Sequence, residues 1–266
     1  MACRSGIPGK GEEVKRRSGN QNIEMVHVDY SDTASISKFI TIIKEKYAPF
    51  DIVISNAAMV PSESRKTPQG LEEMFMVNYL SKFMMINGLL NEDCLSKDGK
   101  ENPRIVFVSS ESHRNPEAFD WNSFGVYKSY GMKKTVEYYG YYKLLLTTFA
   151  FELSRRLQAN GRRPVSVFSL CPGPVDSGIA REAPAIFQPL LKLIFALFFA
   201  SPRKAAEPVV YLAVSKDLEG KPFDYLFKMS RKEIDEKASD PDNGEKLWKM
   251  SEELLQTLPG LRRWKV

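Results

Sequence analysis

Tyr139 and Lys143 are the two residues whose types and spacing best suit chemistry. They stand four positions apart in a segment of helical periodicity, so about one helical turn, or ~6 Å along the axis, separates them on one face. A nearby ammonium favours the phenolate, and we therefore expect Lys143 to lower the pKa of Tyr139 from its usual ~10 towards neutrality. Such a phenol could exchange a proton with a carbonyl oxygen. The simpler alternative is that a tyrosine-rich helix start is only the edge of an amphipathic core helix.

The elements that would position this pair follow from the apolar pattern. Apolar residues of the same segment keep helical spacing and predict a core-facing stripe: Leu146, Phe149, Ala150, Leu153 and Leu157. Segments rich in β-branched residues alternate with helical ones along the chain. The predicted strands are residues 23–29, 50–55, 104–108 and 164–170, and the other predicted helices are residues 34–47, 71–90 and 202–214. The strand at 50–55 is expected to be buried on both faces. This alternation predicts a single α/β domain, residues 1–266, with a doubly wound parallel sheet.

Polar or turn-forming residues follow the predicted strands at their carboxyl ends. They are Asp29, Asn56, Ser110 and the pair Pro172–Gly173. In a parallel sheet with helices on both faces, ligands gather beyond the carboxyl ends of the strands. The sequence therefore predicts a ligand site at this edge of the sheet.

Composition argues against several other classes of protein. The 38 basic and 33 acidic residues are spread along the 266-residue chain, so the net charge of +5 predicts no nucleic-acid partner. Three cysteines without metal or redox spacing suit a reducing compartment, and two histidines give little support to a metal site or a Ser-His-Asp hydrolase. Because no signal peptide is recognisable, we expect a cytoplasmic protein.

Residues 186–200 form the longest apolar run. This run contains Gln188, Pro189 and Lys192 and is too short to span a bilayer. We expect it to form a lid over an apolar substrate pocket, within a lid and C-terminal segment at residues 186–266. A homodimer contact and a helix attached peripherally to a membrane are the alternatives.

Three stretches of the sequence carry a family resemblance. They are residues 105–114 (Ile-Val-Phe-Val-Ser-Ser-Glu-Ser-His-Arg), residues 170–175 (Leu-Cys-Pro-Gly-Pro-Val) and residues 75–80. Through them the sequence resembles a short-chain dehydrogenase/reductase, most closely the retinol-dehydrogenase-like branch, over nearly the whole chain. The resemblance implies a Rossmann-like fold. It also implies an NAD(P)-dependent oxidoreductase that interconverts an alcohol and a ketone or aldehyde on an apolar, retinoid-like or steroid-like substrate.

The resemblance also implies catalytic roles. Tyr139 would be the general acid/base, while Lys143 would lower its pKa and hold the nicotinamide ribose. Ser110 would hydrogen-bond the substrate carbonyl, and Asn78 would anchor a water relay behind Lys143.

A second group of matching residues would contact the cofactor. Besides Tyr139 and Lys143 they are Arg4, Asp29, Asn56, Ala57, Ala58, Pro172 and Gly173. Asp29 stands where a carboxylate meets the adenine. Arg4 could pair with a ribose 2′-phosphate, which favours NADP over NAD.

The interval between Ser110 and Tyr139 is long for this family. It holds four aromatic residues: Phe119, Trp121, Phe124 and Tyr127. Two interpretations stand side by side, a flap beside the substrate pocket and an ordinary surface insertion.

The amino-terminal segment departs from the family pattern as well. Residues 1–4 resemble the end of the family's second strand, so the first strand, its glycine-rich turn and the next helix have no counterpart in the sequence. We expect an N-terminally incomplete sheet with a gap between the strands at 23–29 and 50–55 and an unpaired edge on each side. Because the glycine-rich turn binds the dinucleotide pyrophosphate, the 266-residue chain is expected not to turn over a substrate. A truncated, inactive isoform or a non-catalytic binding protein is then the alternative function.

Overall fold

A computed structural model describes residues 1–96, 102–159, 165–174 and 200–258 of the chain. The strands are β1 (Ala2–Cys3), β2 (Val26–His27), β3 (Ile52–Ser55), β4 (Arg104–Val108), β5 (Ser166–Cys171), β6 (Phe223–Phe227) and β7 (Ser230–Arg231). The helices are α1 (Gly9–Ser18), α2 (Thr33–Lys46), α3 (Glu73–Phe75), α4 (Ser81–Asn91), α5 (Met132–Ala159), α6 (Pro202–Val214), α7 (Glu236–Ser239) and α8 (Pro241–Thr257). Strands and helices alternate through most of this order, as the apolar pattern predicts.

Five strands form the main sheet, in the order β3-β4-β5-β6-β7. The first four run parallel, and β7 returns antiparallel to β6. In the register, Ile52 lies opposite Arg104, which lies opposite Ser166. The carboxyl ends of β3, β4 and β5 therefore meet at one edge of the sheet, where the sequence predicts a ligand site.

Both faces of this sheet are covered by helices. Ile105 and Phe107 of β4 join the core formed with α2, α4, α5 and α8. Val106, which points the other way, packs with Leu212 of α6 and with Leu226. Since neighbouring residues of a strand point to opposite faces, these two cores lie on opposite sides of the sheet. The predicted doubly wound α/β fold is confirmed.

The first two strands stand apart from the main sheet. β1 pairs with β2 in a separate parallel sheet, with Ala2 opposite Val26 and Cys3 opposite His27. In the described part of the chain, no strand is hydrogen-bonded between this pair and β3, and β3 is the edge of the main sheet. This arrangement agrees with the gap that the sequence predicts.

The expectation that the strand at 50–55 is buried on both faces is wrong. Ile52 is 37% exposed and Ile54 is 47% exposed. The physical reason is the position of β3 at the edge of the sheet, where the described chain covers these side chains incompletely.

Helix ends agree closely with the sequence signals. α2 begins after Asp32, whose carboxylate accepts the Ala34 N–H at 3.0 Å. α6 begins after Ser201, whose hydroxyl accepts the Lys204 N–H, and Pro202 occupies its first turn. Both caps satisfy amide groups that have no partner within the helix.

The helix predicted for residues 71–90 runs from Glu73 to Asn91, but it is not α-helical throughout. α3 is followed by a π-helical turn at Met76–Leu80 and only then by α4. A π-helical turn inside a helix often marks a functional site, and this one carries Asn78. α5, in contrast, is one long helix whose predicted core stripe is buried, including Phe149 and Leu153.

Parts of the predicted lid and tail lie outside the described residues. These are residues 186–199 of the apolar run and residues 259–266. Val175, the last residue of the 170–175 stretch, also lies outside the described residues. Among the helices that the structure describes, none is long and apolar enough to cross a membrane.

Candidate active site

Tyr139, Lys143 and Ser110 come together where α5 crosses the carboxyl end of β4. The Lys143 amine lies 5.6 Å from the centre of the Tyr139 ring and donates a hydrogen bond to the Val108 carbonyl at 2.8 Å. Ser110 follows β4 by two residues and hydrogen-bonds the Tyr139 phenol. The structure thus unites three of the four residues predicted to be catalytic.

Ser110 is held in place by the short 3-10 helix Glu111–Arg114, of which it is the N-cap. Its hydroxyl oxygen accepts the Ser112 N–H at 3.2 Å and the Ser112 hydroxyl at 2.8 Å. Its carbonyl faces the His113 ring Nδ1 at 2.7 Å. With these contacts the Ser110 side chain is oriented before any substrate arrives.

Gly140 lets this 3-10 helix approach α5 next to Tyr139. A Cβ at this position would lie 2.9 Å from the Ser112 carbonyl oxygen, so only glycine fits without movement. Sequence reasoning did not single out Gly140. The sequence did contain a signal, which is the glycine itself within a predicted helix. A glycine there lowers helix stability by about 1 kcal/mol relative to alanine, so it indicates a close packing contact.

Burial, and not Lys143, dominates the ionisation of the tyrosine. Desolvation raises the pKa of Tyr139 to about 12, while the hydrogen bond from Ser110 opposes that rise. Burial also lowers the pKa of Lys143 to about 8. The expectation that Lys143 brings the Tyr139 pKa towards neutrality is therefore wrong in this structure: removing water from the phenol disfavours the phenolate more than its surroundings favour it.

Asn78 is fully buried in the π-helical turn. Its side-chain oxygen accepts the Met59 N–H, and its amide donates to the Met59 carbonyl, both at 2.8 Å. The contact fixes the loop that carries Asn56–Ala58 against the start of α4. The role of Asn78 in a water relay behind Lys143 stays a prediction.

Two of the predicted cofactor contacts lie at the ends of the separate strand pair. Asp29 follows β2, and its carboxylate accepts the Ser31 N–H at 2.8 Å and the Ser31 hydroxyl at 2.7 Å. Arg4 follows β1; it is exposed, and its guanidinium lies 3.9 Å from the Glu73 carboxylate. Glu73 has a closer partner, Arg65 at 2.8 Å, so Arg4 is held only weakly.

The turn after β5 lies at the same edge of the sheet. Gly173 has a φ of +82°, and a Cβ there would lie 2.9 Å from the Lys228 side chain, so Pro172–Gly173 needs its glycine. The Gly173 N–H points at the Cys171 sulfur, 3.4 Å away. Cys171 is close enough to Tyr139 and Lys143 for its charge to raise the pKa of both. The sequence interpretation assigned this thiol no role and missed its place beside the site.

The aromatic segment between Ser110 and Tyr139 packs elsewhere. Phe124 is buried and meets the Phe75 ring edge-on at 5.2 Å between centres. The segment helps to enclose a cavity of about 800 Å³ on another side of α5, lined by Phe75, Asn115–Asp120, Ser123, Gly125, Val126, Lys128, Lys134, Glu137, Tyr138, Tyr141 and Tyr142. None of Tyr139, Ser110 or Lys143 lines this cavity. The choice between a flap beside the substrate pocket and a surface insertion stays a prediction.

Comparison with known proteins decides the family. The family model described as short chain dehydrogenase matches residues 8–185. The chain belongs to the short-chain dehydrogenase family. It is 31% identical to human polyprenol dehydrogenase over 219 residues (81% of this chain, 64% of the relative) and 31% identical to mouse retinol dehydrogenase 14 over 233 residues (87% of this chain, 66% of the relative). The resemblance to the retinol-dehydrogenase-like branch is confirmed, and the match spans just under two thirds of each of these relatives.

Solved structures agree on the fold. A putative uncharacterized protein from Mycobacterium paratuberculosis aligns with a TM-score of 0.69 at 25% identity, covering 98% of this chain and 85% of that one. A Pseudomonas aeruginosa RhlG/NADP active-site complex aligns with a TM-score of 0.61 at 18% identity, covering 85% and 82% of the two chains. At this identity the second similarity concerns the fold alone.

The residues of this short-chain dehydrogenase fit one end of a nicotinamide dinucleotide. A partly exposed phenol, an adjacent buried amine and an oriented serine suit the nicotinamide and its ribose, and the exposed loop Asn56–Ala58 lies beyond β3 at the same edge. The phenol, the amine and the serine hydroxyl therefore suit the nicotinamide end of the cofactor.

Proposed function

We propose that this short-chain dehydrogenase is an NAD(P)-dependent oxidoreductase that interconverts an alcohol and a ketone or aldehyde. The observation that carries the proposal is the convergence of the Tyr139 phenol, the Ser110 hydroxyl and the Lys143 amine at the carboxyl end of β4. A bound nicotinamide would supply the hydride chemistry. The chain's own residues then have to orient the carbonyl and handle one proton.

The proton-handling role falls to Tyr139. With a pKa of about 12 the phenol is protonated at neutral pH, so it is ready to donate its proton to a substrate oxygen that gains negative charge. Ser110 would donate a second hydrogen bond to that oxygen, which stabilises the same charge. Lys143, tied to the Val108 carbonyl, would hold the cofactor ribose beside the phenol. The protonated phenol favours carbonyl reduction over alcohol oxidation.

The substrate class we propose is an apolar alcohol or its carbonyl form. Support comes from the relatives named for retinol and for polyprenol, both long apolar alcohols. The lid at residues 186–200 remains a prediction from the sequence, with a homodimer contact and peripheral membrane attachment as its alternatives. A cytoplasmic location also remains a prediction. Recovery of the chain in the soluble fraction without detergent would support it.

For the cofactor we propose NADP over NAD. The support is Arg4, an exposed guanidinium that lies 3.9 Å from the Glu73 carboxylate, and a ribose 2′-phosphate would be a better partner. Arg4→Ala is expected to weaken NADP binding about tenfold and to leave NAD binding unchanged. Arg17→Ala, at an exposed site on α1, is the matched control. Equal affinity for both cofactors, unaltered by Arg4→Ala, would contradict this choice.

The central experiment removes the titratable hydroxyl. Tyr139→Phe keeps the ring but should lower the turnover of an apolar aldehyde by at least about 10²-fold, the usual contribution of a general acid, with cofactor affinity retained. Tyr138→Phe is the control, because Tyr138 faces the separate cavity. Unaltered turnover in Tyr139→Phe would disprove the assignment.

One observation favours a second candidate, a non-catalytic binding protein. β1 and β2, which carry Arg4 and Asp29 at their ends, form a sheet of their own, and in the described chain this pair is not hydrogen-bonded to β3. A dinucleotide would have to bridge this break, and each charge-assisted hydrogen bond that its pyrophosphate failed to make there would weaken binding by roughly 1.5–3 kcal/mol. Calorimetry with NADP and NAD separates the two candidates: micromolar affinity supports the enzyme, and its absence together with zero turnover supports the binding protein.

A further inference from the structure

His113 is fully buried in the short 3-10 helix that follows Ser110. Its ring joins two backbone groups from distant parts of the chain. Nδ1 lies 2.7 Å from the Ser110 carbonyl oxygen, and Nε2 accepts the N–H of Asp235, 122 residues further along the chain, at 3.2 Å. Asp235 is the N-cap of α7. Both ring nitrogens therefore have a partner, and the ring connects the predicted catalytic serine to the start of α7.

The two partners determine the protonation of the ring. A backbone N–H can only donate, so Nε2 has to be unprotonated to accept from Asp235, and the proton of a neutral ring then sits on Nδ1. From there it is donated to the Ser110 carbonyl, which can only accept. Burial has the largest effect on this group and lowers the pKa of His113; the charge on Arg114 acts in the same sense, and the hydrogen bond to Ser110 opposes them. The ring is therefore neutral at neutral pH, as its contacts require.

The Ser110 carbonyl receives two hydrogen bonds from His113. One comes from the ring, and the other comes from the backbone N–H of His113 at 3.1 Å. Together they occupy both lone pairs of the carbonyl oxygen. The hydroxyl of Ser110 is oriented within its own turn by Ser112, as described above, whereas the His113 ring holds the peptide from which the Ser110 side chain projects.

Other contacts between this 3-10 helix and the segment after β5 are closer to solvent. The Glu111 carboxylate accepts the Tyr225 hydroxyl at 2.8 Å and is ion-paired with Lys232. The side chains of Glu111 and Lys232 are partly exposed, and ion pairs in such places contribute little. The buried contact of His113 is thus expected to contribute most on this side of the helix, opposite the close approach at Gly140.

We propose that His113 is a positioning residue for Ser110: as a neutral ring protonated at Nδ1, it ties the Ser110 carbonyl to the backbone before α7 and so sets where the Ser110 hydroxyl meets the substrate oxygen. The inference rests on the proposed function, in which Ser110 donates a hydrogen bond to that oxygen. Such a donor stabilises developing charge only when its position is held closely. His113 touches neither the substrate nor the cofactor and acts through Ser110.

Two amide variants separate the two contacts of the ring. In His113→Asn the side-chain nitrogen takes nearly the place of Nδ1 and can still donate to the Ser110 carbonyl. In His113→Gln the side-chain oxygen reaches towards the place of Nε2 and can still accept the Asp235 N–H, but the donor to Ser110 is lost. We expect His113→Gln to lower kcat for an apolar aldehyde at least about tenfold with KM little changed, and His113→Asn to stay within about threefold of the unaltered chain.

Ser154→Ala is the matched control, and its kcat should equal that of the unaltered chain. This change also removes a buried hydrogen bond from a side chain to a backbone carbonyl, that of Pro222 at 2.9 Å, but it does so near the far end of α5. Circular dichroism verifies the folding of each variant. A merely structural role of His113 predicts equal losses of kcat in the asparagine and glutamine variants, and that result, or an unchanged kcat in His113→Gln, would overturn the proposal.

Two NMR measurements need no turnover. The Ser112 N–H is hydrogen-bonded to the Ser110 hydroxyl oxygen, so its exchange with solvent should become at least about tenfold faster in His113→Gln and stay unchanged in His113→Asn. Nitrogen-15 spectra of the unaltered chain should show His113 neutral and protonated at Nδ1, with the exposed His27 assigned through His27→Gln. A ring protonated at Nε2 overturns the proposal even if a variant fails to fold. If both NMR results hold in a chain without turnover, the proposed function fails while the positioning of Ser110 by His113 stands.

Discussion

Replacing Lys82 by methionine is expected to stabilise the protein, most strongly at and below neutral pH. Lys82 lies on α4 and is only 3% exposed. Its amine sits 4.0 Å from the centre of the Tyr30 ring and has no hydrogen-bond partner in the described structure. A buried amine without a carboxylate or carbonyl is costly to charge.

The magnitude follows from the pKa. Burial, with a smaller contribution from the charge on Lys143, lowers the pKa of Lys82 from 10.5 to about 7. At about 1.36 kcal/mol for each pKa unit, the free-energy cost of folding with a charged Lys82 approaches about 5 kcal/mol as an upper limit. This cost applies in full below the folded-state pKa of Lys82, and it disappears as pH rises to the unfolded-state pKa. Because methionine also loses the contact of the charged form with Tyr30, worth about 1 kcal/mol, a gain of roughly 2–4 kcal/mol is expected near neutrality.

Urea unfolding at about pH 6.5, 8 and 9.5 measures the effect. The free energy of unfolding of Lys82→Met should exceed that of the unaltered chain at the lowest pH, and the difference should shrink steadily as pH rises. Lys38→Met, at an exposed position on α2, is the matched control and should change little throughout. If Lys82→Met destabilised the protein equally at all three pH values, Lys82 would be a charged and well-paired group, and the reasoning would be refuted.

Three further changes probe the packing around the site. Gly140→Ala should destabilise the protein by about 1–3 kcal/mol despite the better helix propensity of alanine, because the alanine Cβ would press on the Ser112 carbonyl. Urea unfolding measures this change in the free energy of unfolding, and a stabilised variant would contradict the prediction. Tyr79→Phe should cost about 1 kcal/mol by removing the buried 2.6 Å hydrogen bond with Ser251, and a double-mutant cycle with Ser251→Ala should show coupling between the two. Glu152→Gln should cost about 1–3 kcal/mol, since this buried carboxylate accepts hydrogen bonds from two partly exposed arginines, and a thermal shift of a few degrees downward is the expected readout.

The sequence predicted those parts of the fold that local patterns determine. The helices predicted for residues 34–47 and 202–214 begin within one residue of those positions, because their caps, Asp32 and Ser201, depend on a few neighbouring residues. The spacing of Tyr139 and Lys143 on a helix, and the position of Ser110 just after a strand, likewise need only local periodicity. Sheet topology then brings these residues together, because parallel strands end at one edge.

Features that depend on distant packing could not be predicted. The exposure of Ile52 and Ile54 is set by the edge position of β3 and not by the apolar composition of that strand. β6, which completes the parallel run, was not predicted as a strand, although its register with β5 is regular. The cavity beside Tyr138 depends on how the aromatic segment folds back over α5. A short stretch of sequence does not determine that packing.

The ionisation of the site shows most clearly why spacing alone was insufficient. Placing an amine one turn from a phenol predicts attraction between an ammonium and a phenolate, which would lower the pKa of the phenol and raise the pKa of the amine. Burial acts on both groups in the opposite sense to that attraction: it raises the pKa of Tyr139 to about 12 and lowers the pKa of Lys143 to about 8. Each shift favours the neutral form of its group. The phenol therefore keeps its proton throughout the physiological range, while the amine begins to lose its charge just above it. Under the function that we propose, Tyr139 would therefore start as a proton donor, and alcohol oxidation would first require that proton to leave against the cost of burial.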